Sequence, residues 1–285
     1  MLEPTQQNKF VLQIKSKLSW LAYTNILVGL SAASSLYTAF IFMNAEVHWP
    51  SLLALFLITF AIYNIDRFSE SRLDKINHPE RQNFVSLRRY LLYISIASYA
   101  TAIVIAGSTE LRLLLLFPLL VSLLYKYAGI KRIFLLKNIT VAIAWTITVT
   151  FLPILSDSAI PIGFALAFFS FFLLKTFVNA IAYDIKDIKG DARFRINTMP
   201  VRMGIQKTKM TLYILTIIAA CLALYYTFIF SSTSIYFISM ISGYSIFYIY
   251  RIGKTEIKFL SDFGMDGEFI LMGFLAYLGS MLTLN

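Results

Sequence analysis

Nine apolar runs, set along the whole chain and separated by short charged segments, leave few folds open to it. They cover about Leu18–Met43, Trp49–Asn64, Tyr90–Gly107, Leu111–Tyr125, Ile139–Leu155, Ile160–Tyr183, Met210–Phe230, Ile235–Tyr250 and Phe269–Leu284. In hydrocarbon every backbone N–H and C=O must find its partner within the protein, so such runs span as helices. With 58% of the residues hydrophobic and only 14% charged, a soluble globular domain is excluded. The expected fold is all-α: a polytopic membrane protein of about nine transmembrane helices. It forms a single domain over residues 1–285, with residues 1–17 as a short cytoplasmic lead. The first run continues past the small residues Ala32–Ser35 and is expected to stay as a retained helix.

A net charge of +10 would suit nucleic acid, but its distribution argues for a membrane. With the N-terminus cytoplasmic and the runs alternating, 24 of the 25 basic residues fall on the inner side and only Arg112 outside. That asymmetry orients the chain as a multi-pass protein of the cytoplasmic membrane and makes nucleic-acid binding unnecessary. The single cysteine, Cys221, rules out an internal disulfide and a thiolate metal site. Neither His48 nor His78 has a ligand partner at zinc spacing. No Gly-rich phosphate loop or Ser–His–Asp set is present.

Two acidic stretches carry the chemistry. Behind the sixth run, Tyr183–Gly204 holds Asp184, Asp187 and Asp191, at offsets 0, 3 and 7, which share one face of a helix. Carboxylates so placed repel one another unless a cation lies between them, and Mg²⁺ takes one or two carboxylates plus phosphate oxygens. Alone, the cluster would read as a solvated helix end. Behind the second run, however, Asp66, Glu70 and Asp74 follow at steps of four, then Asn77, Pro79 and Arg81. Both stretches follow even-numbered runs, so both emerge on the cytoplasmic side.

The turn joining runs four and five, on that same side, offers Lys126, Lys131, Arg132 and Lys137 beside Tyr125, Tyr127 and Asn138. Positive-inside anchoring accounts for most of these charges. Two acidic stripes facing a basic turn nevertheless suit a metal-bound diphosphate, whose oxygens accept from Lys and Arg. Lys175 and Asn179, four apart in the sixth run, are expected to face one cavity. Asn25, inside the first run, is either functional or a helix–helix hydrogen-bonding residue. Asp262, Asp266 and Glu268, ahead of the ninth run, offer a third acidic contribution or a water-facing loop. The loop is the expected reading.

The paired stretches resemble the two aspartate-rich motifs of the UbiA superfamily of intramembrane prenyltransferases. Asp184, Asp187 and Asp191, followed by Thr198-Met199-Pro200-Val201-Arg202-Met203-Gly204, are similar to the second motif. Asp74, Asn77, Pro79 and Arg81 resemble the first, with Glu70 where the family has Asp and Asp66 where it has Asn. Gln82 and Asn83 stand where Arg-Pro is usual. Lys131 and Tyr125 resemble the family's diphosphate-side basic residue and tyrosine.

The resemblance implies a UbiA-like bundle with a central cavity opening to the cytoplasmic side. It implies Mg²⁺ held by Asp66, Glu70, Asp74, Asp184, Asp187 and Asp191, these together with Lys131 being the expected catalytic set. Arg132, Tyr125, Asn77, Arg81, Lys175, Asn179 and Lys189 form the expected substrate-binding set. The partners so implied are an allylic prenyl diphosphate, a hydrophobic or aromatic acceptor and the lipid bilayer. Ionisation of the donor gives an allylic cation that the acceptor attacks, with Phe168, Phe171 and Phe172 as candidate cation–π walls. The alternatives are a UbiA-type membrane terpene cyclase, a transporter or channel, and a catalytically inactive relative.

Overall fold

A computed structural model describes residues 24–69, 87–127, 133–156, 159–252 and 260–283. Its helices are α1 (Ile26–Phe42), α2 (Trp49–Ser69), α3 (Arg88–Ile105), α4 (Thr109–Tyr127) and α5 (Leu136–Ser156). They continue with α6 (Ile162–Arg193), α7 (Met199–Phe230), α8 (Thr233–Ser239), α9 (Ile241–Arg251) and α10 (Asp266–Thr283). A π-helical turn, Leu260–Met265, leads into α10. Each of the nine apolar runs is helical among the described residues, the eighth being broken at Met240 into α8 and α9. Among the described residues, five helices are long and apolar enough to cross a membrane. The lead 1–17 lies outside the described residues.

The chain runs up and down. α2 packs on α3, α1 on both α2 and α10, and α6 lies between α5 and α7, with α8 closing onto α10. Contacts of Asn25 with Asn64, Asn138 with Asp184, and Asp266 with Tyr183 and Ser31 put the C-terminal ends of α2 and α6 at the same end of the bundle as the N-terminal ends of α1, α5 and α10. At the α8–α10 crossing a Cβ on Gly279 would come within 2.6 Å of the Ser234 backbone, so that approach requires glycine.

Helices α6 and α7 are 32 residues each. At about 1.5 Å per residue α6 is about 48 Å long, well beyond a hydrocarbon core of about 30 Å, whereas α7 is broken near its start at Gly204. Both extend past the runs expected from sequence: α6 continues through Asp184, Asp187 and Asp191 to Arg193, and α7 starts at Met199 rather than near Met210. Their surplus turns meet at one end, joined by a tight connection in which the Ile196 N–H donates to Asp191 O at 2.8 Å.

Two apolar cores hold the bundle. The larger contains a cluster of rings: Phe42 meets Phe168 edge-on at 5.3 Å and Phe171 at 6.3 Å, and Phe172 meets Phe269 at 5.8 Å. Phe168, Phe171 and Phe172 are therefore buried among other rings rather than lipid-facing. The smaller core gathers Val178, Ile181, Ile185, Met199, Leu212 and Tyr248, binding α6, α7 and α9 at the aspartate-bearing end.

Candidate active site

Helix continuity past Tyr183 places Asp184 and Asp191 on one buried face of α6, each side chain 1% exposed, with Asp187 half-buried beside them. The first turn of α5 supplies what opposes them. Lys137 Nζ lies 2.7 Å from Asp184 Oδ1 and 3.6 Å from Asp191 Oδ2. Asn138 Nδ2 donates to Asp184 Oδ2 at 2.8 Å. Burial penalises ionised carboxylates, and the ammonium and amide offset only part of that penalty. Lys137 and Asn138 were visible in sequence as part of the basic turn. Their pairing with Asp184 was not, because it depends on how α5 is rotated against α6.

The first acidic stretch is anchored at its root. Arg67 donates to Asn25 Oδ1 at 2.6 Å, and Asn25 Nδ2 donates to Asn64 Oδ1 at 2.9 Å. Asn64 Nδ2 reaches the carbonyls of Thr24 and Phe60 at 3.0 and 2.9 Å. Asn25 stands immediately before α1 with φ 60°, a left-handed conformation that asparagine tolerates, and its side chain makes no capping bond to the helix. It therefore ties α1 to α2 at the site's edge instead of lying within a span. Asp66 is half-buried on the last turns of α2. Glu70, Asp74, Asn77, Arg81, Lys131 and Arg132 lie outside the described residues, as does the side chain of Tyr125.

A link joins the two halves. Tyr183, next to Asp184, donates its hydroxyl to Asp266, whose backbone carbonyl accepts from Ser31 at 2.6 Å. The charges of Asp266 and Asp66 both bear on Tyr63, whose ring stacks on Trp145 at 6.2 Å. Lys186 lies 5.8 Å over the Tyr183 ring.

The expected water-facing loop ahead of α10 is corrected at Glu268. That carboxylate is fully buried and ion-paired with the fully buried Lys175. Ser245 accepts from Lys175 and donates to Glu268, while Tyr248 donates to Glu268 Oε2 at 3.1 Å. Asn179 Nδ2 donates to Met265 O at 3.0 Å and lies 3.4 Å from Glu268 Oε2. Lys175 and Asn179 do share a face, but Lys175 is committed to Glu268 and Ser245 instead of being presented to a phosphate. It stands nine residues before Asp184, about 13 Å along the helix axis. Lys189 is exposed.

The residues present suit a hard cation. Asp191 Oδ2 and Asn138 Oδ1 are buried oxygens without a hydrogen bond. Among the described residues no three Asp, Glu, His or Cys side chains converge closely enough to hold an ion by themselves. A carboxylate pair completed by oxygens from elsewhere is what Mg²⁺ takes with phosphate substrates.

These features define a helical membrane protein with a carboxylate-lined site at one end of an apolar bundle. The chain belongs to the UbiA prenyltransferase family, matching that family's model over residues 26–258. It is similar to a digeranylgeranylglyceryl phosphate synthase of Methanosphaera stadtmanae, 31% identical over 195 residues, covering 66% of this chain and 70% of that one. Two solved structures share the fold. A UbiA homologue of Archaeoglobus fulgidus bound to DMAPP and Mg²⁺ has TM-score 0.64 and 18% identity. An apo UbiA homologue of Aeropyrum pernix K1 has TM-score 0.68 and 14% identity. Each comparison covers 90% of this chain and 98% of the other. The protein is thus an integral membrane enzyme of the prenyltransferase class.

Proposed function

We propose that the enzyme transfers a prenyl group from an allylic polyprenyl diphosphate to an aromatic or lipid acceptor within the membrane, in a Mg²⁺-dependent reaction through an allylic cation. The observation that carries this reading is the buried Asp184–Asp191 face, opposed by Lys137 and Asn138 where α6 continues past its apolar run. Asp184, Asp187 and Asp191 from one stretch, with Asp66, Glu70 and Asp74 from the other, would hold the metal. Bound Mg²⁺ would neutralise diphosphate oxygens and so favour their departure.

The chain's own residues do the rest. Lys137 supplies an ammonium beside the Asp184–Asp191 face, and Lys131, Arg132, Arg81 and Lys189 would add basic groups to the diphosphate. Asn138 fixes the Asp184 carboxylate by donating to it. The apolar interior, with rings at Phe168, Phe171 and Phe172, keeps water from a cation formed near it. The site would face the cytoplasm of a plasma membrane, with a central cavity open to that side and a single domain spanning 1–285. Similarity to a digeranylgeranylglyceryl phosphate synthase makes a glyceryl phosphate lipid the first acceptor to test.

The test is incubation of purified protein with Mg²⁺ and allylic diphosphates of several lengths, with and without acceptors. Acceptor-dependent release of diphosphate, giving a prenylated product, is expected. Cyclised products formed without acceptor would instead make the protein a terpene cyclase.

A further inference from the structure

Lys137 sits in the first turn of α5, where the helix macrodipole disfavours a cation. Its placement is explained by what it touches. Asp184 and Asp191 are both buried with Asp187 acting on both, and a single ammonium opposes this group of carboxyls. Asp191 Oδ2 and Asn138 Oδ1 remain buried and without a hydrogen bond. The cluster is thus partly neutralised and under-bonded, and a second positive charge entering it meets the first.

We propose that Lys137 is a built-in counter-ion that makes metal and diphosphate bind together. The inference rests on the metal site proposed above. A divalent cation arriving alone must displace the ammonium or sit against it, and like charges at this range repel strongly in a buried setting. A diphosphate arriving with the metal gives the ammonium new acceptor oxygens. Lysine suits such a transfer, being a compact charge with three donors on a flexible stem. Metal alone therefore binds weakly, and each ligand strengthens the other by the same factor. Lys137 would hold the carboxylates in the empty enzyme and swing to the leaving group in the loaded one.

The experiment uses the full chain in detergent, with Mn²⁺ binding followed by electron paramagnetic resonance in the absence of donor. Lys137→Met is expected to bind Mn²⁺ about tenfold more tightly than wild type, and Lys137→Arg to match wild type. Metal-free Lys137→Met should melt at a lower temperature and recover with Mn²⁺. Equal or weaker Mn²⁺ binding by Lys137→Met, with an unmoved melting midpoint, would overturn the inference and leave Lys137 an anchor. Failure of all three proteins to bind Mn²⁺ would overturn the metal site itself, and the inference with it. Should Lys137→Met not fold, Lys137→Gln removes the same charge with a polar side chain and is judged by the same outcomes.

Discussion

Asp184 and Asp187 stand one turn apart on α6, yet their surroundings make different demands on a substitution. Asp184 is buried and bonded to Lys137 and Asn138, so Asp184→Asn is expected to abolish turnover and also cost about 1–3 kcal/mol of stability. Asp187 is half-buried, and Asp187→Ala should abolish turnover while the protein stays folded in detergent. Product assays run beside thermal melts check both. Wild-type activity in the two variants would remove these carboxylates from the chemistry. The three aspartates were legible in sequence because helical spacing alone puts them on one face. Lys137 was legible only as one of several basic residues. Glu268 was misjudged because its partner, Lys175, is 93 residues away, and a charge ahead of an apolar run resembles a loop. A milder test concerns Glu70, where the resemblance places an aspartate. Glu70→Asp should keep most activity in the same assay, and near-complete loss would show that the first stretch is wrongly registered.

At the level of elements, the site exists because α6 and α7 continue beyond their apolar runs and meet there. Hydropathy marks where a run leaves hydrocarbon, not where the helix stops, so the apolar pattern placed the lower halves of both helices and missed their ends. The eighth run's break at Met240 was equally invisible, since both pieces are apolar. Gly204 interrupts α7 with φ 77° and ψ 162°, a conformation almost confined to glycine. A Cβ there would meet nothing within 4 Å, so any cost of substitution is conformational and not steric. Gly204→Ala should therefore lower stability by about 1–3 kcal/mol. Denaturant unfolding in detergent measures this, and an unchanged midpoint would mean that the break relaxes to ordinary helix. Because Thr198–Met203 precede the break, a folded Gly204→Ala enzyme should also show a raised KM for the donor.

Across the whole molecule, the buried charge network joins parts of the bundle that are distant in sequence. Lys175 and Asn179 belong to α6, Ser245 and Tyr248 to α9, and Glu268 to α10, which itself packs on α1. Ionisable residues within membrane helices are costly, which makes function the first question to ask of them. Here the carboxylate is fully surrounded by protein donors, so locking three helices together is the simpler role. The two roles predict different outcomes. Lys175→Met leaves a buried carboxylate without its counter-charge and should cost about 3–5 kcal/mol. Adding Glu268→Gln removes that charge while keeping an acceptor for Tyr248 and Asn179, so the double variant should recover part of the loss. A double-mutant cycle read by unfolding gives the coupling directly. If the network only locks the fold, the double variant should regain turnover as it regains stability. A double variant as stable as wild type but inactive would instead place Glu268 or Lys175 in the reaction.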